Sequence, residues 1–172
     1  ARRQALEAAR LDPAEVDLII LATDTPEQLS PATSVVVQHR LGAVNAGTFV
    51  VNCACAGFVT ALHTASEVII ADSAYRNVLV VGAYAISKYL DWHDKKTATI
   101  FADGAGAVLL QASEERPGFL GGKLRADGSF HDHMGIYAGG THLPITAQVI
   151  DEGRWTRVRF AKKYPAEVNT EG

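Results

Sequence analysis

The chain has 172 residues and a formal net charge of −3, with 48% hydrophobic and 20% charged residues. A chain of this length and composition can bury a core without a disulfide scaffold, and its weak acidity argues against nucleic-acid binding, which favours strongly basic proteins. The apolar runs are shorter than the roughly 18 residues that a bilayer-spanning helix needs, so we predict no membrane contact.

Helices and strands alternate through the first half of the sequence. The pattern of apolar residues predicts a helix over 1–10, a strand over 16–23, a helix over 31–42, a strand over 47–54, a helix over 57–73 and a strand over 77–86. This α-β-α-β-α-β order predicts an α/β fold with a mixed, mostly parallel sheet and helices on both faces.

The alternation changes after residue 86. Glycine-rich bends and apolar runs predict successive strands over 98–113 and 118–128, with no helix between them. Residues 128–153 contain many Gly and His and predict a loop, and 154–160 alternates like an exposed strand. The sequence begins within a helix and without Met, so we expect one domain, 1–172, that is truncated at both ends.

Both cysteines, Cys53 and Cys55, lie where the strand over 47–54 meets the helix over 57–73. Alternate strand residues are about 6–7 Å apart, which is unfavourable for a disulfide between them. Free cysteines indicate a reducing, cytoplasmic compartment. Cys-x-Cys alone is too few ligands for a metal, and only the His-Asp-His run at 131–133 offers more, so we expect no metal and no cofactor.

Two interpretations of Cys55 remain, as a buried core residue or as a nucleophile. Core packing is common, because free cysteine is among the most buried residue types. At the start of a helix, however, unpaired backbone N–H groups and the helix dipole favour the thiolate. The same N–H groups can stabilise an oxyanion after the sulfur attacks a carbonyl, and Ala56 and Gly57 leave room for a substrate.

Three segments carry a resemblance to a known family: NCACAGFVTAL, NVLVVGAYAIS and DKKTATIFADGAGAVLL. In this order they resemble the N-terminal half of β-ketoacyl-acyl carrier protein synthase III, a condensing enzyme of the thiolase fold, over about residues 1–130. The family places its nucleophile directly before Ala-Gly-Phe, so the resemblance assigns catalysis to Cys55 and leaves Cys53 to packing. It also implies one half of the duplicated αβαβα architecture, with 131–172 as a cap or loop region.

The resemblance implies five substrate-binding positions, each with an alternative. Ser30 matches a residue that reaches across the family's dimer to the acyl pocket, or it caps the following helix. Ile86, Ile100 and Phe101 match the apolar lining of that pocket, or they are core residues. Lys95 lies near a family arginine that contacts the coenzyme A nucleotide, or it is a solvated lysine.

The implied activity is acyl transfer from acyl-CoA to Cys55, followed by condensation with malonyl-acyl carrier protein to initiate fatty-acid synthesis. Family members supply decarboxylation from a histidine and an asparagine in their C-terminal half, and the motifs that carry them do not occur in this sequence. We therefore predict that the chain alone does not condense. Its partners would be these two substrates and a second copy of the chain, with no nucleic acid.

Two other functions remain open. One is a thiolase-fold acyltransferase that passes the acyl group from Cys55 to a hydroxyl or amine in secondary metabolism. The other is a non-catalytic half-domain that pairs subunits, through the strand near 77–83 if it follows the family. The RWTRVRFAKK run, with five cationic side chains, is either a docking patch for an acidic carrier protein or a solvated face.

Overall fold

The chain forms two units, shown by a computed structural model that describes residues 1–114 and 118–169. Unit 1 comprises Ala1–Ala85 with Asp103–Leu124, and unit 2 comprises Ile86–Ala102 with Arg125–Gly172. The candidate nucleophile lies in unit 1.

Unit 1 is a four-stranded sheet with three helices. Its elements are α1 (Arg2–Ala9), β1 (Leu18–Ala22), α2 (Thr33–Leu41), β2 (Gly47–Val51), α3 (Gly57–Ala71), β3 (Asn77–Tyr84) and β4 (Gly104–Gln111). The strand order is β2-β1-β3-β4; β1 pairs in parallel with both neighbours, and β4 is antiparallel to β3. This mixed, mostly parallel sheet confirms the predicted fold class.

Apolar side chains cover both faces of this sheet, because successive residues of a strand point to opposite sides. On one face, here called the α2 face, the buried residues are Leu6, Ile19, Leu21, Val37, Leu41, Leu79 and Val81. On the other, the α3 face, they are Leu18, Ile20, Ala22, Ala61, Ala65, Val78 and Val80. Every residue of β1 is buried, as its near-continuous apolar run predicts.

The chain changes sides of the sheet between β1 and β3. It leaves β1 through α2 on one face to reach β2, and then returns through α3 on the other face to β3. The two crossovers therefore start at the carboxyl ends of the neighbouring strands β1 and β2 and pass over opposite faces of the sheet. In open α/β sheets this is the position where ligands bind.

Two strands predicted from the sequence differ in the structure. Of the residues predicted as a strand over 98–113, only β4 is extended. The segment before it contains the short helix α4 (Lys95–Ala98), because the Asp94 carboxylate accepts a hydrogen bond from the Lys96 N–H at 3.0 Å and caps the turn. Residues 118–127 form no regular element, and Gly121 there has a φ of 144°, which does not continue a strand.

Unit 2 contains short elements. Besides α4 they are β5 (Met134–Gly135), α5 (Ala147–Glu152) and β6 (Arg159–Phe160), with β5 and β6 antiparallel. The exposed strand predicted over 154–160 is reduced to β6. Trp155 lies in a tight turn, because its indole N–H donates to the Glu152 carboxylate at 2.6 Å.

The segment Ala54–Ala71 has 18 residues and a mean hydropathy of 1.5, so it is long and apolar enough for a membrane-spanning helix by length and composition. The prediction that every apolar run is shorter than about 18 residues is therefore wrong. In unit 1 this segment is the crossover between β2 and β3, and its Ala61 and Ala65 are fully buried against the sheet.

Candidate active site

The carboxyl ends of β1, β2 and β3 meet at one edge of the sheet. The Thr23 N–H donates to the Val51 carbonyl at 3.1 Å, which joins the end of β1 to that of β2. The Ala85 N–H donates to Thr25 Oγ1 at 2.9 Å, which joins the end of β3 to the loop after β1. These bonds connect the ends of the three strands at the edge where the cysteine segment begins.

Cys55 occupies a tight turn between β2 and α3. The turn spans Ala54–Ala56, with the Ala56 N–H bonded to the Cys53 carbonyl at 3.0 Å. Ala54 has a φ of 44°, a left-handed conformation that costs free energy in a residue with a Cβ and is concentrated at functional sites. Both cysteines are free and exposed, so the prediction that they form no disulfide is confirmed and the core-packing interpretation is wrong for both.

The first turn of α3 begins at Gly57, two residues after Cys55. Ala56 is the N-cap and supplies no side-chain hydrogen bond to the helix. The N–H groups of this turn therefore have no side-chain acceptor from the cap, and the positive end of a 15-residue helix faces the cysteine segment.

Two glycine contacts set how closely α3 approaches the sheet. A Cβ on Gly57 would lie 3.4 Å from the Ala22 Cβ. A Cβ on Gly82 would lie 3.0 Å from Phe58 Cδ2, which is closer than real Cβ atoms normally come. Small residues at these positions let the start of the helix rest on β1 and β3, and they thereby place Cys55 at the sheet edge.

Asp24 and Tyr84 are further polar residues at this edge, and neither is among those predicted from the sequence. Burial raises the pKa of the partly buried Asp24 carboxyl. Burial, followed by the negative charges of Asp24 and Cys55, raises the pKa of Tyr84 to about 12. A signal that could find them is their place at the carboxyl ends of two predicted strands, where ligands bind in open α/β sheets.

The remaining predicted site residue of unit 1 is Ser30. It is exposed and precedes Pro31, whereas the N-cap of α2 is Ala32. The alternative that Ser30 caps this helix is therefore wrong, and its substrate-binding role stays a prediction.

The other four predicted binding residues belong to unit 2. Ile86 is 2% exposed and belongs to the core, whereas Ile100 is 61% exposed. Phe101 is partly buried, and Lys95 is exposed at the first position of α4. The structure does not bring these residues together with Cys55 within one unit, and their roles in substrate binding stay predictions.

Other candidate sites in unit 1 do not involve the nucleophile. A cavity of about 430 Å³ opens on the α2 face, with Leu21, Thr25, Val37 and Arg40 in its lining. Cys55 precedes the helix of the opposite face. Among residues 1–114 and 118–169, no cluster of three or more His, Cys, Asp or Glu side chains has the arrangement of a metal site.

Comparison with known proteins agrees with this geometry. Residues 49–128, which include the end of β2, Cys55, α3, β3 and β4, match the family model of 3-oxoacyl-acyl carrier protein synthase III. The chain is 44% identical over 154 residues to β-ketoacyl-acyl carrier protein synthase III of Roseiflexus sp. (strain RS-1); the alignment covers 90% of this chain and 46% of that protein.

Solved structures give the same result. The 3-oxoacyl-acyl carrier protein synthase III of Aquifex aeolicus VF5 has a TM-score of 0.75 at 41% identity, covering 78% of this chain and 43% of that one. The priming β-ketosynthase of the R1128 polyketide biosynthetic pathway has a TM-score of 0.75 at 31% identity, covering 95% and 46%.

These likenesses extend over part of each relative. The chain spans about half the length of the curated relatives it matches, with coverage of 46% and 52% of two of them. Within that length the α/β fold is thiolase-like, as predicted. The resemblance to the β-ketoacyl-acyl carrier protein synthase III family is therefore confirmed, over about half the length of its members.

Proposed function

We propose that this chain is the acyl-accepting, N-terminal half of a β-ketoacyl-acyl carrier protein synthase III, with Cys55 as its nucleophile. One observation carries the proposal: Cys55 is exposed, two residues before a helix whose first N–H groups have no side-chain cap, at the carboxyl edge of a parallel sheet. Such N–H groups and the helix dipole favour a negative charge at this position.

The proposed first step is a transfer between thioesters. The Cys55 thiolate attacks the carbonyl carbon of an acyl-CoA, and the tetrahedral oxyanion accepts hydrogen bonds from N–H groups of the cysteine turn. The bond to the coenzyme A sulfur then breaks, and that sulfur leaves as a thiolate that takes up a proton. The acyl group remains on Cys55.

The proposed second step requires residues outside this sequence. Malonyl-acyl carrier protein would lose CO₂, and the resulting carbanion would attack the acyl-cysteine to release a β-ketoacyl-acyl carrier protein and the free Cys55 thiolate. The resemblance assigns decarboxylation to a histidine and an asparagine of the C-terminal half. We propose that the chain by itself carries out the first step and not the second.

Incubation with acetyl-CoA followed by intact-protein mass spectrometry tests the nucleophile. The unchanged chain and the Cys53→Ala control, which removes the neighbouring exposed thiol, should each gain one acetyl group, and Cys55→Ala should gain none. Acetylation of Cys55→Ala, or its absence from the unchanged chain, would overturn the assignment. Formation of β-ketoacyl product from malonyl-acyl carrier protein by the chain alone would contradict the division between halves.

The proposed homodimer needs a free edge of the sheet. The strand near 77–83, expected from the resemblance to pair subunits, is β3, which is already bonded to β1 and to β4 on its two sides. That expectation is wrong, because a strand with both edges used cannot pair with another subunit. β2 is a terminal strand of the sheet, and its Phe49 is 39% exposed.

We therefore place the proposed subunit contact at β2, where a second copy would continue the sheet. Sedimentation velocity tests it. Phe49→Lys should shift the chain toward monomer, and Ile70→Lys, which puts the same charge on an exposed position near the far end of α3, should not. A chain that is monomeric at all concentrations, or a dimer that Phe49→Lys leaves intact, would overturn this contact.

A further inference from the structure

Asp24 and Tyr84 lie at the carboxyl edge of the sheet that carries the nucleophile helix. Asp24 is in a bend after β1, in which the Thr25 N–H donates to Thr23 Oγ1 at 3.1 Å. In β3, Val78 and Val80 belong to the α3 face, and the same two-residue period assigns Tyr84 to it.

β1 and β3 bring the two residues to the same end of the parallel ladder. Its last pair is Ala22 with Gly82, and Asp24 and Tyr84 each come two residues after that pair. The Ala85 N–H bond to Thr25 Oγ1, at 2.9 Å, shows that the strands stay together beyond the ladder.

The start of α3 lies directly beside this pair. Ala22 and Gly82 are the residues that contact Gly57 and Phe58, the first two residues of the helix. The Thr23 N–H donates to the Val51 carbonyl at 3.1 Å, so the segment that contains Asp24 leaves β1 beside the end of β2, from which the turn with Cys55 follows. The electrostatic effect of both Asp24 and Cys55 on the Tyr84 phenol agrees with this placement.

The environment of Asp24 strengthens its effect on a neighbouring charge. The carboxyl is partly buried, and its desolvation is the main influence on its ionisation. Two negative charges repel each other more strongly at a partly buried site than in water, because screening by solvent is reduced. Tyr84, neutral at physiological pH, adds no charge to offset that of Asp24.

We propose that Asp24 is a specificity-determining residue that makes the Cys55 site select uncharged acyl groups against acyl groups that end in a carboxylate. The inference rests on the proposed function, in which Cys55 carries the acyl group. An acyl chain on the Cys55 sulfur lies beside the Asp24 carboxylate, and a second carboxylate there is repelled. Specificity of this kind arises from penalising the wrong substrate rather than from binding the right one.

Competition between two synthetic thioesters tests the proposal. Glutaryl and pentanoyl thioesters of N-acetylcysteamine carry five-carbon chains that differ in the terminal carboxylate. In each reaction the bond between the Cys55 sulfur and the acyl carbon forms, the bond to the N-acetylcysteamine sulfur breaks, and the small thiol leaves with a proton. Rates of acylation by each thioester are measured on the full chain by intact-protein mass spectrometry.

The expected result is preferential acylation by the pentanoyl thioester. Asp24→Asn removes the charge at nearly constant size and should raise the glutaryl-to-pentanoyl rate ratio by about tenfold. This factor corresponds to a repulsion between two carboxylates strong enough to shift a pKa by about one unit. Asp24→Glu, which keeps the charge, should hold the ratio near that of the unchanged chain. Asp72→Asn, at the other end of α3, changes the net charge equally and should leave both rates unaltered.

Two results overturn the inference alone: equal ratios in the unchanged chain and Asp24→Asn, or an equal rise in Asp24→Asn and Asp24→Glu, which would indicate an effect of shape. Acylation of the unchanged chain by neither thioester has a different meaning. It would overturn the proposed nucleophile, and the inference with it. Circular dichroism of each variant shows whether a lost rate reflects loss of folding.

Discussion

The two units of the chain are stabilised in different ways. In unit 1, long strands and helices bury apolar side chains on both faces of one sheet, and β1 has no exposed residue. In unit 2, the two strands are two residues each, and specific polar and aromatic contacts hold the segments together. Burial of many similar side chains stabilises a fold diffusely, whereas a few distinct contacts concentrate the stability in individual residues.

Trp155 shows the second kind of stabilisation. Its indole N–H donates to Glu152, and the guanidinium groups of Arg154 and Arg159 lie 4.5 and 5.1 Å from its ring centre. Its backbone carbonyl accepts the N–H groups of Tyr137 and Ala138 at 3.2 and 3.0 Å. The sequence predicts the RWTRVRFAKK run to be a docking patch for a carrier protein or a solvated face. Two of its cationic side chains, Arg154 and Arg159, instead contact the Trp155 ring within unit 2.

The largest effect is expected in the core of unit 1. Ile20 is fully buried in the central strand, so Ile20→Ala should lower the free energy of unfolding by about 2–5 kcal/mol through lost burial and a cavity. Urea unfolding followed by circular dichroism measures the loss. A change under about 1 kcal/mol would show that the sheet is not the main source of stability.

A smaller effect, confined to unit 2, is expected at Trp155. Trp155→Leu keeps an apolar side chain but removes the indole hydrogen bond and both cation contacts, each contributing roughly 0.5–1.5 kcal/mol. Amide hydrogen exchange should accelerate around 137–160 and remain unchanged in β1 and β3. Equal acceleration in both regions would contradict the difference between the units.

At the sheet edge, removing a charge should increase stability. Burial raises the pKa of Asp24, so the folded state disfavours the ionised carboxyl, and the associated stability is present below the unfolded pKa and lost as pH rises through the folded pKa. Asp24→Asn should therefore raise the melting temperature at pH 7. The corresponding gain in the free energy of unfolding should be less than about 1 kcal/mol, because the group remains partly solvated. The difference should shrink below pH 4, and a constant difference would refute the electrostatic cause.

The smallest effect concerns Tyr84 at alkaline pH. Its pKa of about 12 exceeds the ordinary 10.0, so the folded state retains a proton that the unfolded chain loses, and stability should fall between about pH 10 and 12. Tyr84→Phe should reduce this fall. Difference absorbance of tyrosinate gives the titration directly, and a normal midpoint for Tyr84 would contradict its burial.

Predictability from the sequence follows the same division. The apolar period identifies α1 to α3 and β1 to β3, because burial against a sheet imposes that period on the residues. In unit 2, the turn at Trp155 depends on a side-chain hydrogen bond to Glu152, which no periodic pattern records. Short segments fixed by single contacts are therefore assigned incorrectly as strands.

The candidate site divides similarly. Cys55 is identified by a local sequence motif, and its exposure in the structure decides against the interpretation as a buried core residue. Asp24 and Tyr84 are 31 and 29 residues from Cys55 in the sequence, and only the pairing of β1 with β2 and with β3 brings these segments to the same edge of the sheet. The sequence indicates which residues of a strand share a face of the sheet, but it does not indicate which strands are adjacent.

The left-handed backbone of Ala54 has a consequence for which residues the cysteine turn accepts. Its φ of 44° lies at the start of the turn that leads from β2 into α3 and contains Cys55. A Cβ makes this conformation costly, and a β-branched side chain raises that cost further. Gly or Asn at position 54 should therefore relieve strain one residue before the candidate nucleophile, whereas Val or Ile should destabilise the turn.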